Sequence, residues 1–333
     1  MTRDEQPMIG ESPAFLEVLE RVSSAAAMNR PMLVVGERGT GKELVAERLH
    51  FLSPRWDQPL VKLNCAAISD SLLESELFGH EAGAYTDATR SRIGRFEAAD
   101  GGSLFLDELA STTPAVQEKI LRVIEYGQFE RLGSSKTRSV DVRLIGAANV
   151  DLPELAARGR FRSDLLDRLA FDVITLPPLR ARREDILPLA EAFAMRISRE
   201  LGRELFAGFS PGVTAQLLNH GWPGNIRELK NVVERAVYRN EDPAEPIDEL
   251  VIDPFDSPWR PAGSGTIDRS TPEMPDPGRA PVDLRAYLND QEKTLAERAL
   301  TVTGGHQGKA AERLGLSYDQ LRGILRKHGL AGR

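Results

Sequence analysis

The chain has 333 residues, with 43 Lys and Arg against 50 Asp and Glu and a formal net charge of −7. This length suggests about two domains. No apolar run approaches the roughly 20 residues of a membrane-spanning helix, and residues 1–6 lack a signal-peptide core, so a cytoplasmic location is predicted. The single cysteine, Cys65, excludes an internal disulfide and a zinc site built on cysteines.

Charge is distributed unevenly along the chain. Residues 284–333 hold nine Lys and Arg against five Asp and Glu, a net charge of +4, so the remainder carries −11. A basic tail on an acidic body predicts that the tail binds an anionic partner.

The first motif in chain order is a glycine-rich loop between an apolar strand, Met32–Val35, and a helical pattern at Leu44, Val45 and Leu49. Its residues are Gly36, Glu37, Arg38, Gly39, Thr40, Gly41, Lys42 and Glu43. Glycines allow such a loop to form a nest of N–H donors, and a lysine at the helix start reaches the outer phosphates of a nucleotide. The alternative is an ordinary strand-to-helix turn. The Ser or Thr that usually follows the lysine is Glu43 here.

A second apolar run, Ser103–Leu106, ends in Asp107 and Glu108. Ligands bind at the carboxyl ends of strands in open α/β sheets. There Asp107 could hold Mg²⁺, directly or through water, and Glu108 could activate an attacking water. An acidic pair after a strand is often only a helix cap, but together with the phosphate loop it predicts hydrolysis of ATP.

Strands and helices alternate up to about residue 180, which predicts an α/β fold with a mostly parallel sheet. The predicted strands are Met32–Val35, Leu60–Cys65, Ser103–Leu106, Val142–Ala147 and Phe171–Leu176. From residue 183 to 238 the pattern is helical, with breaks at Gly208 and at Trp222–Gly224. Residues 254–281 are rich in Pro and Gly and predict a linker.

The C-terminal region has the pattern of a helix-turn-helix. Residues 309–314 predict the first helix, Gly315 the turn, and Ser317 the N-cap of a helix ending at Lys327. A preceding helix begins after Asp283 and is predicted to dimerise. The residues available to DNA are Ser317, Tyr318, Asp319, Gln320, Arg322 and Arg326. A helical hairpin that docks on protein is the alternative.

Residues 76–88, Glu-Leu-Phe-Gly-His-Glu-Ala-Gly-Ala-Tyr-Thr-Asp-Ala, resemble the surface loop of sigma-54-dependent transcriptional activators of the AAA+ class. The resemblance extends from about residue 7 to 237 and resumes in the tail; Glu43 is normal in that family. It implies an AAA+ α/β core over 1–180, an all-α lid over 181–253, a flexible linker over 254–282 and a Fis-type helix-turn-helix over 283–333.

The same resemblance implies further roles within an ATPase site. Asn64 matches the polar residue that pairs with Glu108, and Asn149 matches a sensor near the γ-phosphate. Arg162 and Arg168 match arginine fingers offered to the ATP of a neighbouring subunit. Because these arginines act on the ATP of another subunit, the resemblance implies a ring, hexameric in that family. Arg227 matches the arginine that reads the nucleotide from the lid. The alternative for Arg162 and Arg168 is surface pairing with Asp164 and Asp167.

The surface loop is the element that engages sigma-54 in the family. Its usual sequence is Gly-Ala-Phe-Thr-Gly-Ala, and the matching residues here are Gly83, Ala84, Tyr85, Thr86, Asp87 and Ala88. Asp87 replaces a glycine, which adds a negative charge and disfavours a positive φ.

The resemblance as a whole implies an ATP-hydrolysing activator that binds upstream DNA and remodels the closed complex of sigma-54 RNA polymerase, with Mg²⁺ and ATP as cofactors. Within the family the sequence is most similar to activators of the phage-shock response, which implies an inhibitor acting in trans, of the phage shock protein A type. Trp56 either folds back over the core or contacts that inhibitor. A regulator of ordinary promoters, in which ATP only controls assembly, is the alternative function.

Overall fold

The computed structural model describes residues 8–84, 89–255, 259, 283–303 and 306–328. The chain divides into two compact units, residues 1–256 and residues 257–333. Tyr85–Ala88 of the surface loop, most of the linker, and Gly304 and Gly305 lie outside the described residues.

The first unit is organised around a parallel sheet. Among the described residues its strands are β1 (Met32–Val35), β2 (Leu60–Asn64), β5 (Ser103–Asp107), β8 (Arg143–Ala148) and β9 (Val173–Thr175). Their order is β2-β5-β8-β1-β9, and every neighbouring pair is parallel. All six residues of β8 are buried, as expected for a central strand covered on both faces. The α/β fold predicted from the sequence is therefore confirmed.

Two short antiparallel pairs lie beside this sheet. Strand β3 (Gly79–His80) pairs with β4 (Arg92–Ile93), and β6 (Gln128–Glu130) pairs with β7 (Thr137–Ser139). The backbone N–H of Glu81 donates to the Leu132 carbonyl, which joins the two pairs. The predicted strand over 60–65 ends one residue early, because Cys65 begins a short 3₁₀ turn, where it is 2% exposed.

Helices cover both faces of the sheet. Their bounds are α1 (Pro13–Ala26), α2 (Lys42–Phe51), α3 (Asp70–Phe78), α4 (Arg95–Ala98), α5 (Pro114–Tyr126), α6 (Leu152–Ala157) and α7 (Ser163–Leu169). One apolar core joins α1 and α2 to the sheet, and a second joins α3, α5 and α7 to the other face. Because helices pack on both faces, the carboxyl ends of the strands remain as the open edge at which a ligand can bind.

A helical subdomain follows two 3₁₀ turns, Leu179–Ala181 and Arg183–Asp185. It contains α8 (Ile186–Glu200), α9 (Pro211–Asn219) and α10 (Asn225–Arg239). Trp222 is completely buried between them and donates its indole N–H to the Leu217 carbonyl at 2.9 Å. The break predicted at Trp222–Gly224 is therefore a tight connection before α10 that is anchored by the buried Trp222.

The second unit contains α11 (Leu284–Val302), α12 (Gln307–Arg313) and α13 (Tyr318–Lys327). Its small core includes Ala310, Leu321 and Leu325. The Ser317 hydroxyl accepts from the Gln320 N–H while the Gln320 side chain accepts from the Ser317 N–H, a complete capping box. The helix-turn-helix prediction is confirmed, although its first helix begins at Gln307, two residues earlier than predicted.

Candidate active site

The phosphate loop lies between β1 and α2. Gly39 and Gly41 have φ of 78° and 97°, a region that glycine enters without a steric penalty. Lys42 folds back over the loop and donates to the carbonyls of Gly36 at 2.9 Å and Glu37 at 3.0 Å. Desolvation lowers the pKa of Lys42. The loop is thus held in a compact shape, with a desolvated cation at its centre.

Asp107 and Glu108 lie at the end of β5. Burial raises the pKa of Asp107, whose carboxylate accepts from the Glu108 N–H at 2.9 Å. Glu108 has φ 52°, a left-handed conformation that costs a non-glycine residue about 1–2 kcal/mol. Its carboxylate lies 3.5 Å from the Arg38 guanidinium of the phosphate loop. The loop and the carboxylates therefore form one site.

The pairing of Asn64 with Glu108 that the resemblance implies is not present. The Asn64 amide lies 3.5 Å from the Asp107 carboxylate instead, and its oxygen accepts from the Ala66 N–H. Asn64 and Asp107 are register partners on β2 and β5, so their side chains are neighbours. Glu108 lies past the end of its strand, where the left-handed turn directs its carboxylate to Arg38.

Two further predicted residues adjoin the site. Asn149 directly follows β8, whose last residue, Ala148, accepts the Gly36 N–H at 3.1 Å. Arg227 lies in the first turn of α10, and its positive charge contributes to the lowered pKa of Lys42. Glu43, by contrast, is engaged by Lys62 of β2 at 2.9 Å, so its carboxylate is paired on the flank of the site.

Arg162 and Arg168 lie on a different part of the unit. Arg162 forms a bidentate pair with Asp164, and Arg168 pairs with Glu125 of α5 at 2.7 Å. Of the surface-pairing alternative, the Arg162–Asp164 pair is present, whereas Arg168 binds Glu125 and not the adjacent Asp167, since neighbouring residues of a helix point in different directions. Both arginines remain substantially exposed.

The helical subdomain contacts the phosphate loop directly, which the sequence patterns missed. Asn225, completely buried, donates to the Glu37 carboxylate at 3.1 Å and to the Arg38 carbonyl at 3.0 Å. Arg180 binds the same Glu37 carboxylate at 2.8 and 2.5 Å. The only available signal was the polar character of Asn225 next to Arg227.

The surface loop begins beside a network of charges. Arg131 binds Glu97 through two hydrogen bonds of 2.7 Å and Glu81 at 3.0 Å, and Arg138 reaches both carboxylates. Gly83 has φ 84°, and the Ala84 N–H donates to the Glu81 carbonyl. The remaining predicted contact residues, Tyr85, Thr86, Asp87 and Ala88, lie outside the described residues.

In the second unit, α13 exposes most of the predicted DNA-contact residues. Tyr318 is 50% exposed, and Asp319, Arg322 and Arg326 are also exposed. Ser317 and Gln320 are exposed too, but their side-chain oxygens form the capping box. No described helix in either unit is long and apolar enough to span a membrane.

Comparison with known proteins assigns the three regions separately. Residues 8–175 match the sigma-54 interaction domain, residues 180–251 the AAA+ ATPase lid domain, and residues 287–328 the Fis family of bacterial regulatory proteins. The Psp operon transcriptional activator of Escherichia coli (strain K12) is 54% identical over 96% of this chain and 97% of its own length. The predicted resemblance to phage-shock activators is confirmed.

Other known proteins match most of this chain but only part of their own length. The transcriptional regulatory protein ZraR of Klebsiella oxytoca is 46% identical over 94% of this chain and 67% of its own length. The structure of NtrX from Brucella abortus in complex with ATP is 34% identical with a TM-score of 0.67, covering 97% of this chain and 70% of NtrX. The chain is an AAA+ ATPase with a DNA-binding domain, and it belongs to the sigma-54-dependent transcriptional activators.

Proposed function

We propose that this activator hydrolyses Mg²⁺-ATP at the site formed by the phosphate loop, Asp107 and Glu108, and that hydrolysis drives remodelling of the sigma-54 RNA polymerase closed complex. The observation that carries the proposal is the convergence of the desolvated Lys42 and the desolvated Asp107 at the carboxyl edge of the sheet. Lys42 binds the outer phosphates, and Glu108 orients and deprotonates the attacking water.

The residues present fit a magnesium ion. The Asp107 carboxylate is desolvated, and an oxygen ligand of this kind suits Mg²⁺. Asp107 would hold the ion together with oxygens of ATP and water. When bound there, the ion would neutralise charge on the phosphates.

The arginine fingers act between subunits of a ring. Arg162 and Arg168 are exposed, and their described ion pairs are to α5 and α7 rather than to the phosphate loop, which supports a role outside their own subunit. An arginine offered in trans contributes about 10³–10⁵ in turnover. A ring, hexameric as in the family, is therefore the active enzyme.

The test is Arg168→Ala, measured for assembly, ATP binding and turnover. It should assemble and bind ATP while losing hydrolysis, whereas Arg158→Ala, which removes another exposed and ion-paired arginine, should hydrolyse ATP normally. Hydrolysis by Arg168→Ala at the normal rate would refute the trans assignment. Wild-type protein with sigma-54 polymerase and hydrolysable ATP should then produce open complexes in an in-vitro transcription assay.

The surface loop from Gly83 to Ala88 contacts sigma-54, and its anchoring beside Arg131 supports transmission of force from the ATPase core. Asp87→Gly restores the usual glycine of the family. We expect it to leave ATP turnover unchanged and to maintain or raise open-complex formation. A loss of open complexes would show that Asp87 is adapted to its own partner.

The C-terminal unit tethers the activator to upstream DNA as a dimer. Leu284, Leu288 and Leu295 of α11 are 54–62% exposed, which supports dimerisation through this helix. Paired recognition helices would contact half-sites about 34–36 Å apart or a multiple of that distance. Deoxyribonuclease footprints with that spacing test the arrangement, and a single unpaired half-site would contradict it.

The protein acts in the cytoplasm, on promoters of a phage-shock (envelope stress) response, as the 54% identity to the Psp operon activator supports. Trp56 is 63% exposed, so the alternative in which it folds back over the core is wrong. Its exposure supports contact with an inhibitor of the phage shock protein A type. Trp56→Ala should keep full ATPase activity and resist that inhibitor; unchanged inhibition would refute the contact.

A further inference from the structure

The two 3₁₀ turns Leu179–Ala181 and Arg183–Asp185 connect the sheet to the helical subdomain. We call these turns the hinge and the helical subdomain the lid. The hinge is bound to the phosphate loop through Glu37. Arg180, in the 3₁₀ turn Leu179–Ala181, donates from both terminal nitrogens to the Glu37 carboxylate, at 2.8 and 2.5 Å. A bidentate pair fixes the direction of a carboxylate as well as its position. The Arg180 hydrogen bonds lower the pKa of Glu37 to about 2, with a further contribution from Asn225.

Asn225, the first residue of α10, binds the Glu37 carboxylate, the phosphate loop and the hinge. Its amide nitrogen donates to Glu37 at 3.1 Å and to the Arg38 carbonyl at 3.0 Å, and its oxygen accepts the Leu179 N–H at 2.8 Å. Asn225 has φ 53°, a left-handed backbone conformation. Such a conformation persists where surrounding interactions fix it, and it occurs at functional sites.

Three successive carbonyls of the phosphate loop are held by the hinge and the lid. Asn225 binds the Arg38 carbonyl, the Ile226 N–H binds the Gly39 carbonyl at 3.0 Å, and Arg182 binds the Thr40 carbonyl at 3.1 Å. Because the C=O and N–H of a trans peptide point in opposite directions, these bonds aim the next three N–H groups away from the lid. Those N–H groups form the nest that receives phosphate.

We propose that Glu37 is a positioning residue that locks the phosphate loop to the lid, so that the anion-binding nest forms only when the lid is docked. Nucleotide affinity and lid position are then linked, and by reciprocity a bound nucleotide holds the lid in place. The side chain of Glu37 acts on the hinge and not on the nucleotide. This inference rests on the ATP site proposed above.

The absence of a side chain at Gly39 is consistent with a docked lid. A Cβ at this position would lie 2.3 Å from the Gly224 carbonyl and 3.1 Å from the Cβ of Arg227. The lid backbone therefore approaches the loop more closely than any side chain at this position would allow.

The test uses Glu37→Gln, Arg180→Gln and the double variant, in full-length protein. Gln keeps the shape of Glu37 and an acceptor for Asn225 but removes the charge that Arg180 binds. Glu200→Gln, which breaks an exposed Arg–Glu pair on α8, is the matched control. ADP affinity is measured by titration, and amide hydrogen exchange is measured in the nucleotide-free protein over residues 36–42 and 224–230.

We expect each single variant to weaken ADP binding and to raise the KM for ATP by about 2- to 5-fold, the size typical of half-exposed ion pairs, with kcat little changed. Exchange should increase in both segments, including at the Ile226 amide. The double variant should be no worse than either single variant, since both remove one interaction. Glu200→Gln should match the wild type.

The inference is overturned if Glu37→Gln leaves exchange and ADP affinity unchanged, or if the effects of the two single variants add. Exchange is measured without nucleotide, so it does not depend on hydrolysis or on sigma-54. Failure of the proposed ATP site would appear differently, as wild-type protein that does not bind ADP.

Discussion

Arg143 is a buried cation whose removal should destabilise the ATPase core. It is 3% exposed and donates to the Ala26 carbonyl at 2.9 Å, to the Ala25 carbonyl at 3.1 Å, and to Leu49 and Arg30 at 3.3 Å. These carbonyls belong to the ends of α1 and α2 and to the segment after α1, and carbonyls of a last helical turn lack partners within the helix. The Ala25 carbonyl also accepts the Met28 N–H at 3.1 Å and would keep that donor. Burial lowers the pKa of Arg143 to about 10, so the guanidinium remains charged at neutral pH.

The expected loss for Arg143→Met follows from this geometry. Each carbonyl left buried without a donor costs about 1–3 kcal/mol, partly offset because the buried charge is also removed. We therefore expect the free energy of unfolding to fall by about 3–5 kcal/mol, the range for breaking a buried charged interaction. At about 2–4 °C for each kcal/mol in a unit of this size, the Tm should fall by about 6–20 °C.

Scanning calorimetry and urea unfolding of the full chain measure this loss. Arg158→Met is the matched control, because that side chain is 64% exposed in its pair with Glu154, and it should change stability by less than about 0.5 kcal/mol. Wild-type stability in Arg143→Met would mean that the desolvation cost of the guanidinium equals the value of its four hydrogen bonds, and the reasoning would be refuted.

Four further predictions concern the site and the DNA-binding unit. Glu108→Gln should bind ADP normally and lose about 10²–10⁴ in turnover; near-normal turnover would exclude it as the general base. Gly39→Ala should weaken ADP binding at least tenfold, because the added Cβ meets a lid carbonyl. Gly202→Ala, also at positive φ but with open space around it, should bind ADP like the wild type. Equal ADP affinities of the two variants would contradict the prediction. The pKa of Glu37 is about 2 in the folded protein against an ordinary value of 4.5, so its ion pair contributes fully above pH 4.5 and is lost only as the pH falls toward 2. The ratio of ADP affinities between wild type and Glu37→Gln should therefore stay constant from pH 6 to 9. A ratio that changes with pH in this range would contradict the prediction. Arg322→Ala should weaken DNA binding and reduce the slope of log K against log salt by about one; an unchanged slope would remove it from the phosphate contacts.

The parallel sheet, the phosphate loop and the helix-turn-helix could be predicted because the sequence patterns that indicate them lie within a few neighbouring residues. Apolar runs located the strands of the parallel sheet to within two residues but did not predict the short pairs β3–β4 and β6–β7. The glycines of the phosphate loop predicted the strand-to-helix turn. Ser317 was also predicted as the N-cap of α13, and the structure adds that Gln320, three residues later, completes a capping box with it. The family assignment came from the resemblance of residues 76–88, and the comparisons confirmed it.

Long-range contacts were not predictable from the single sequence. Glu37 and Arg180 are 143 residues apart, and Glu37 and Asn225 are 188 apart, so no periodicity relates them. Arg143 lies at the start of a predicted apolar strand. It is buried because it binds carbonyls at the ends of helices that are distant in sequence, and the strand pattern does not indicate those contacts. The neighbour of Asn64 in this structure, Asp107, follows from the register between β2 and β5, which a single sequence does not give.

The state of Cys65 has a practical consequence for measuring motion in this protein. It is the single cysteine of the chain, it is 2% exposed, and burial raises its pKa to about 12. Maleimides react with accessible thiolates, so the native chain should resist labelling without any cysteine being removed. A cysteine introduced at an exposed position such as Tyr126, which is 69% exposed, would therefore be the single site that reacts with a fluorophore or spin label. Pairs of such positions, one on the core and one on the lid, would report their separation in otherwise unmodified protein.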